Sequence, residues 1–163
     1  MKNNTCCFSG HRPQKIIWKD KEQSQEYCEI ITRTQKEIVN AIDNGYIFFI
    51  TGMAIGYDMS CAEIVLSLKK QYPDIKLICA LPCKEQDKYW READKLKYKK
   101  ILSQADKIIY TSTVYTKECM RKRNEYMLSQ SSLLIAFFNG NSGGTKTTVE
   151  AARKMQIETR IIF

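Results

Sequence analysis

Short apolar runs alternate with longer stretches of helical periodicity along the whole chain, and this alternation limits the available folds more than any other feature. Residues 5–9, 46–51, 76–81, 107–111, 133–138 and 159–163 read as strands. Residues 23–44, 58–72, 85–104, 117–130 and 145–155 read as helices, with 85–104 either one long charged helix or a pair. In the first helix Ile30, Ile31, Thr34, Ile38, Ala41 and Ile42 recur at helical spacing. Gly45 suits a helix-ending residue with positive φ, and Pro73 follows the second helix as a stop. Ile47-Phe48-Phe49-Ile50 and Leu133-Leu134-Ile135-Ala136-Phe137-Phe138 are apolar at consecutive positions, as strands buried on both faces must be. Strands separated by helices predict a parallel sheet covered on both sides. Right-handed crossovers then make it a doubly wound, Rossmann-like α/β fold. The 163 residues contain no linker, repeat or low-complexity segment, so residues 1–163 are expected to form one domain.

Composition excludes several classes. With 44% hydrophobic and 27% charged residues the chain is globular rather than disordered. No apolar run nears the ~18 residues that cross a bilayer, so no membrane partner is expected. The opening Met1-Lys2-Asn3-Asn4-Thr5 lacks the apolar core of a secretory leader. Together with an odd cysteine count of seven, this predicts reduced thiols and a cytoplasmic location. No CxxC pair occurs and His11 is the one histidine, so no metal site is expected. The cysteines read as small buried hydrophobes. Net charge is +8, and residues 84–123 carry 12 Lys/Arg against 6 Asp/Glu. That excess suits an anionic partner, although mixed signs such as Lys84-Glu85-Gln86-Asp87-Lys88 equally describe a solvated face.

The glycines point to a site. Gly10, Gly52, Gly56, Gly140, Gly143 and Gly144 all follow the carboxyl ends of predicted strands, and only Gly45 lies at the opposite end. Ligands of doubly wound sheets bind at that rim. The first loop, Ser9-Gly10-His11-Arg12-Pro13, offers an Arg that can fork onto phosphate and a His that can donate or exchange a proton. Taken alone, His11 reads more readily as a loop histidine bonded to backbone. The second, Thr51-Gly52-Met53-Ala54-Ile55-Gly56-Tyr57-Asp58, joins a strand to a helix, where free N–H groups can take phosphate. It matches neither GxGxxG nor the Walker A pattern. Asp58 is either a helix cap or a ribose-holding carboxylate. The third, Asn139-Gly140-Asn141-Ser142-Gly143-Gly144-Thr145-Lys146, is rich in small donors and opens a helix; Gly143, Gly144 and Thr145 can wrap an anion.

These loops resemble those of the YpsA-type family. The similarity lies in Thr5 to Pro13, in Thr51 to Asp58, in Arg123-Asn124-Glu125-Tyr126-Met127 leading to Leu133-Leu134-Ile135-Ala136, and in Gly143-Gly144-Thr145-Lys146-Thr147-Thr148-Val149. Gln86 and Trp90 stand where that family has a Gln and a Trp. The family belongs to the SLOG superfamily, with the DprA-type DNA-processing proteins and the LOG-type phosphoribohydrolases. The resemblance implies a Rossmann-like fold, a site for a nucleotide-derived ligand, a link to cell division in some Gram-positive bacteria, and pairing of two copies through a helical face. Two departures stand out. Thr148 falls where the LOG-type PGGxGTxxE motif has its Glu, and Glu150 lies about 200° further around the helix. Ser132 replaces the Asp expected before Leu133.

The leading expectation is a regulatory or sensing module for a nucleotide-type ligand such as ADP-ribose or an NAD relative, with no other cofactor. Gly52, Gly56, Gly143, Gly144 and Thr145 would cradle phosphate, Arg12 would pair its charge, Asp58 would hold ribose and Trp90 would stack on a base. Ser9, Gly10, His11, Thr51, Gln86, Arg123 and Asn124 complete the expected ligand set. The first alternative is a nucleotide N-glycosidase with Asp58, Glu150 and His11 as candidate catalytic groups. The second is single-stranded nucleic-acid binding through residues 84–100, with Tyr89, Trp90 and Tyr98 interleaved among lysines.

Overall fold

The computed structural model describes residues 2–11, 25–140 and 142–163. Six strands, β1 (Thr5–Gly10), β2 (Phe48–Thr51), β3 (Lys76–Leu81), β4 (Lys107–Tyr110), β5 (Leu133–Phe137) and β6 (Glu158–Ile162), form one sheet. Its order is β4-β3-β2-β1-β5-β6, and all five pairings are parallel. Between the strands lie α1 (Gln25–Asp43), α2 (Tyr57–Leu68), α3 (Glu92–Gln104), α4 (Cys119–Ser129) and α5 (Gly144–Lys154). The fold is the Rossmann-like α/β arrangement that the alternation predicts.

The two helical layers follow from chain direction. From β1 to β4 each crossover steps one way across the sheet; right-handedness keeps α1, α2 and α3 on one face. The chain then returns past β1 to β5 and β6, stepping the opposite way, so α4 and α5 cover the other face. Strand side chains alternate accordingly. Leu77, Phe49, Cys6 and Leu133 form one registered row under α1–α3, and Ile78, Ile50, Cys7 and Leu134 form the next row under α4–α5. Both rows are buried, which explains the unbroken apolar runs. Truncating a residue of either row, such as Leu134→Ala, removes about 2–5 kcal/mol.

Helix ends differ from expectation for local reasons. Residues 84–90 form turns rather than helix, with Lys88 N–H donating to the Glu85 carbonyl and Trp90 N–H to that of Asp87. Arg91 is extended (φ −64°, ψ 153°), and α3 begins only after it. α2 stops at Leu68 and runs on as turns, with Lys69 N–H on the Leu66 carbonyl and Gln71 and Tyr72 N–H on that of Leu68, ahead of Pro73. α1 ends as predicted on Gly45 at φ 94°, with Tyr46 N–H reaching the Ala41 carbonyl and Gly45 N–H that of Ile42. α5 ends on the same motif with Gln156 at φ 60° in the position where glycine is usual.

Six of the seven cysteines are buried and Cys28 is exposed. Burial pushes the Cys7 and Cys79 thiols up to about 12. Ser132 sits at the amino end of the sheet, its hydroxyl 3.0 Å from that of Tyr46, away from the rim that carries the glycines. Among the described residues no helix is long and apolar enough to cross a membrane.

Candidate functional site

Strand order reverses between β1 and β5, and the loops leaving these two strands face each other at their carboxyl ends. This is where a doubly wound sheet opens a crevice. Gly10 pairs with Phe137 at the last register position. A Cβ on Gly10 would lie 2.5 Å from Cγ and 2.7 Å from Cβ of buried Tyr57, so the glycine is required by packing. Ser9 is half-buried one residue earlier. His11 is 3% exposed; its Nε2 accepts the Asn139 N–H at 3.1 Å, and its ring meets Phe137 edge-on and Phe138 at a tilt. That bond ties the first loop to the third. Arg12 lies outside the described residues.

The second loop is stitched to itself. The Thr51 hydroxyl donates to the Asp58 carbonyl at 2.9 Å and accepts the Met53 N–H at 3.2 Å. The Asp58 carboxylate accepts the Ala54 N–H at 3.3 Å. The capping expectation for Asp58 is therefore corrected: Gly56 (φ 96°) occupies the cap position of α2, and Asp58 holds the loop that precedes it. Met53 is held at φ 58°, a conformation its residue type disfavours. No signal in the sequence marks it.

Gly52 is gripped from both helical layers. Arg123, 3% exposed on α4, donates through Nη1 to the Gly52 carbonyl, through Nε to Asn124 Oδ1 at 2.8 Å, and reaches Met120 Sδ through Nη2. A Cβ on Gly52 would stand 2.5 Å from that guanidinium. From the other layer, Gln86 Nε2 donates to the same carbonyl at 3.4 Å and to the Tyr98 hydroxyl of α3 at 3.3 Å. Burial pushes the Tyr98 hydroxyl pKa well up, so it stays protonated. Trp90 is half-buried and packs edge-on against Tyr98, ring centres 5.1 Å apart. The structure thus brings Gly52, Gln86, Trp90 and Arg123 together and adds Tyr98, which the sequence offered only as one aromatic in a basic stretch.

The third loop leads into α5. Gly140 (φ 92°) and Gly143 (φ 140°) have backbone conformations that other residues rarely adopt. Gly144 has no positive φ, and beyond its own chain neighbours and helix backbone a Cβ there, as at Gly140, would meet nothing within 4 Å. No packing constraint requires a glycine at this first residue of the helix. The amides of Gly144, Thr145 and Lys146 lie in the first turn, where a helix supplies no acceptor and its dipole favours anions. Thr145 is buried beneath them. Thr148 is also buried, and its hydroxyl donates to the Gly144 carbonyl at 2.9 Å. Glu150 is exposed and faces Lys146 Nζ at 4.0 Å, so the structure does not bring it to the loops with Asp58 and His11.

Comparison with known proteins fits this fold. The model of the YpsA family (YspA SLOG family) matches residues 6–162. The chain belongs to the YpsA SLOG family. Among its relatives, the uncharacterized SPbeta prophage-derived protein YoqJ of Bacillus subtilis (strain 168) is 38% identical over 118 residues, covering 65% of this chain and 69% of its own. A UPF0398 protein of Bacillus cereus (strain ATCC 14579) is 28% identical over 150 residues, covering 90% of this chain and 80% of its own. Two solved structures share the fold. DNA processing protein A from Helicobacter pylori, described for its single-stranded DNA binding mode, aligns at TM-score 0.64 and 17% identity over 96% of this chain. DprA from Streptococcus pneumoniae aligns at TM-score 0.62 and 14% identity over 98% of this chain. The chain spans 64% and 53% of those two proteins.

Proposed function

We propose that this YpsA-family chain binds a phosphorylated ribose compound, a nucleotide or a derivative such as ADP-ribose, as a sensing module. Its phosphate would rest on the first turn of α5 at Gly143, Gly144 and Thr145. The observation that carries this reading is Gly144, a glycine with open space around it and no packing reason to be one. A ligand that approaches the backbone closely supplies the reason. Binding is favoured over N-glycoside hydrolysis because the LOG-type Glu position holds Thr148 and Glu150 is turned to solvent.

The test is a thermal-shift series with ribose 5-phosphate, AMP, ADP-ribose and NAD. A ligand at 100 times its Kd adds about 2.7 kcal/mol, a rise of roughly 5–10 °C for a domain of this size. Gly144→Asp should keep the fold and abolish the rise. Gly143→Asp is a poorer probe, because at φ 140° any side chain strains the backbone itself. No rise with any compound, or an undiminished rise in Gly144→Asp, overturns the reading.

One observation favours a second reading, single-stranded nucleic acid. Tyr89 is 89% exposed with Lys88 Nζ 5.4 Å from its ring centre, and Lys84 lies over the ring of Tyr110. Bases stack on such aromatics beside phosphate-binding lysines, and a DNA processing protein A is among the structural neighbours. Salt-sensitive binding of an oligothymidylate, lost in Tyr89→Ala, would support it; salt-independent or absent binding would exclude it.

A further inference from the structure

Gln86 is 8% exposed, and its side-chain oxygen has no hydrogen-bond partner among the described residues. The contact with Gly52 assigns its orientation. The Gly52 carbonyl can only accept, so the amide nitrogen must face it, and turning the amide over would set oxygen against oxygen. The same nitrogen also donates to Tyr98. The oxygen is therefore a buried acceptor, covered by protein in this structure, so a ligand group must part that cover to reach it; such groups are seldom left unsatisfied.

Its place in the sheet says what would satisfy it. Gly52 follows β2, two strands from β5, whose loop opens α5. Two strand spacings amount to about 10 Å across the rim. A nucleoside monophosphate with its phosphate on α5 reaches that far with its base, not with its ribose. An aromatic is within reach for a base: Gln86 bonds Tyr98, and half-buried Trp90 packs on Tyr98.

We infer that Gln86 Oε1 accepts a hydrogen bond from the exocyclic amine of the ligand's base, so that this site selects amino-bearing nucleotides. The inference rests on the phosphate site proposed above. It makes Gln86 a specificity residue, with Arg123 positioning it through the shared Gly52 carbonyl.

The test measures binding of three probes by calorimetry: ribose 5-phosphate, AMP and purine riboside 5′-monophosphate, which differs from AMP only in lacking the amine. AMP should bind about 10-fold or more tightly than purine riboside 5′-monophosphate, because without the amine the buried oxygen stays unpaired. Gln86→Met, similar in length, should bring the two nucleotides within about 2-fold of each other. If the two nucleotides bind wild type equally, or the preference survives in Gln86→Met, Gln86 is not the reader, even though the phosphate site stands. If none of the three binds wild type, the phosphate site itself fails and this inference falls with it. The wild-type comparison needs no variant, so a poorly folded Gln86→Met does not blunt it.

Discussion

Replacing Gly10 by Ala should destabilise the protein through Tyr57. The new methyl would sit 2.5 Å from Cγ of Tyr57 and 2.7 Å from its Cβ, well inside van der Waals contact. Tyr57 cannot step aside at low cost. Its side chain is 1% exposed, its hydroxyl lies 2.8 Å from Thr34 Oγ1, and its ring rests on Phe137 with centres 5.5 Å apart. Forcing one carbon into such a site costs about 1–3 kcal/mol. Pulling the hydroxyl off Thr34 adds about 1 kcal/mol. The sum, about 2–4 kcal/mol, lowers Tm by roughly 5–12 °C for a chain of this length. Thermal melts followed by circular dichroism, with urea melts to check that the m-value is unchanged, measure it. Gly144→Ala is the internal control: with nothing within 4 Å of its Cβ, its Tm should match or slightly exceed wild type. A Gly10→Ala melt within about 1 °C of wild type would show that the Gly10–Tyr57 contact is not what demands glycine there.

Three further outcomes are expected. Asp106 accepts from Lys69 Nζ at 2.6 Å and Leu77 N–H at 2.8 Å; burial alone would raise its pKa, but these partners outweigh it and hold the carboxyl below the ordinary value. A lowered folded pKa gives stability that is present above the unfolded value of about 4 and is lost as pH falls through the folded one, so Asp106→Asn should be about 1–2 kcal/mol less stable than wild type at pH 7 and converge on it in acid; parallel acid melts would refute this. Native titration with a thiol reagent should modify Cys28 promptly and the six buried thiols only after unfolding; two fast thiols would contradict the burial. Gln156→Gly relieves a left-handed residue at the end of α5 and should stabilise by about 1 kcal/mol in a urea melt, whereas a loss of stability would mean that the Gln156 side chain has a role of its own.

The layers of this fold were legible because burial on both faces writes itself as consecutive apolar residues, as in Ile47 to Ile50 and Leu133 to Phe138. The rim was legible through its glycines, since sharp turns and close approaches have few other solutions. What the glycines approach was not. Gly10 makes room for Tyr57 and Gly52 for Arg123, partners 47 and 71 positions away that no local pattern connects. Asp58 looked like a cap because caps are read from spacing, whereas its carboxylate turns back to Ala54 inside the same loop. The turns at 84–90 were hidden by a charge pattern that suits a helix face as well as an irregular one.

The Gly52 carbonyl accepts Arg123 from one side of the sheet and Gln86 from the other. One peptide oxygen thereby fastens the two outer layers to the same point, like a rivet through three plates. A displacement of that peptide is shared at once by α4 through Arg123 and by α3 through Gln86 and Tyr98.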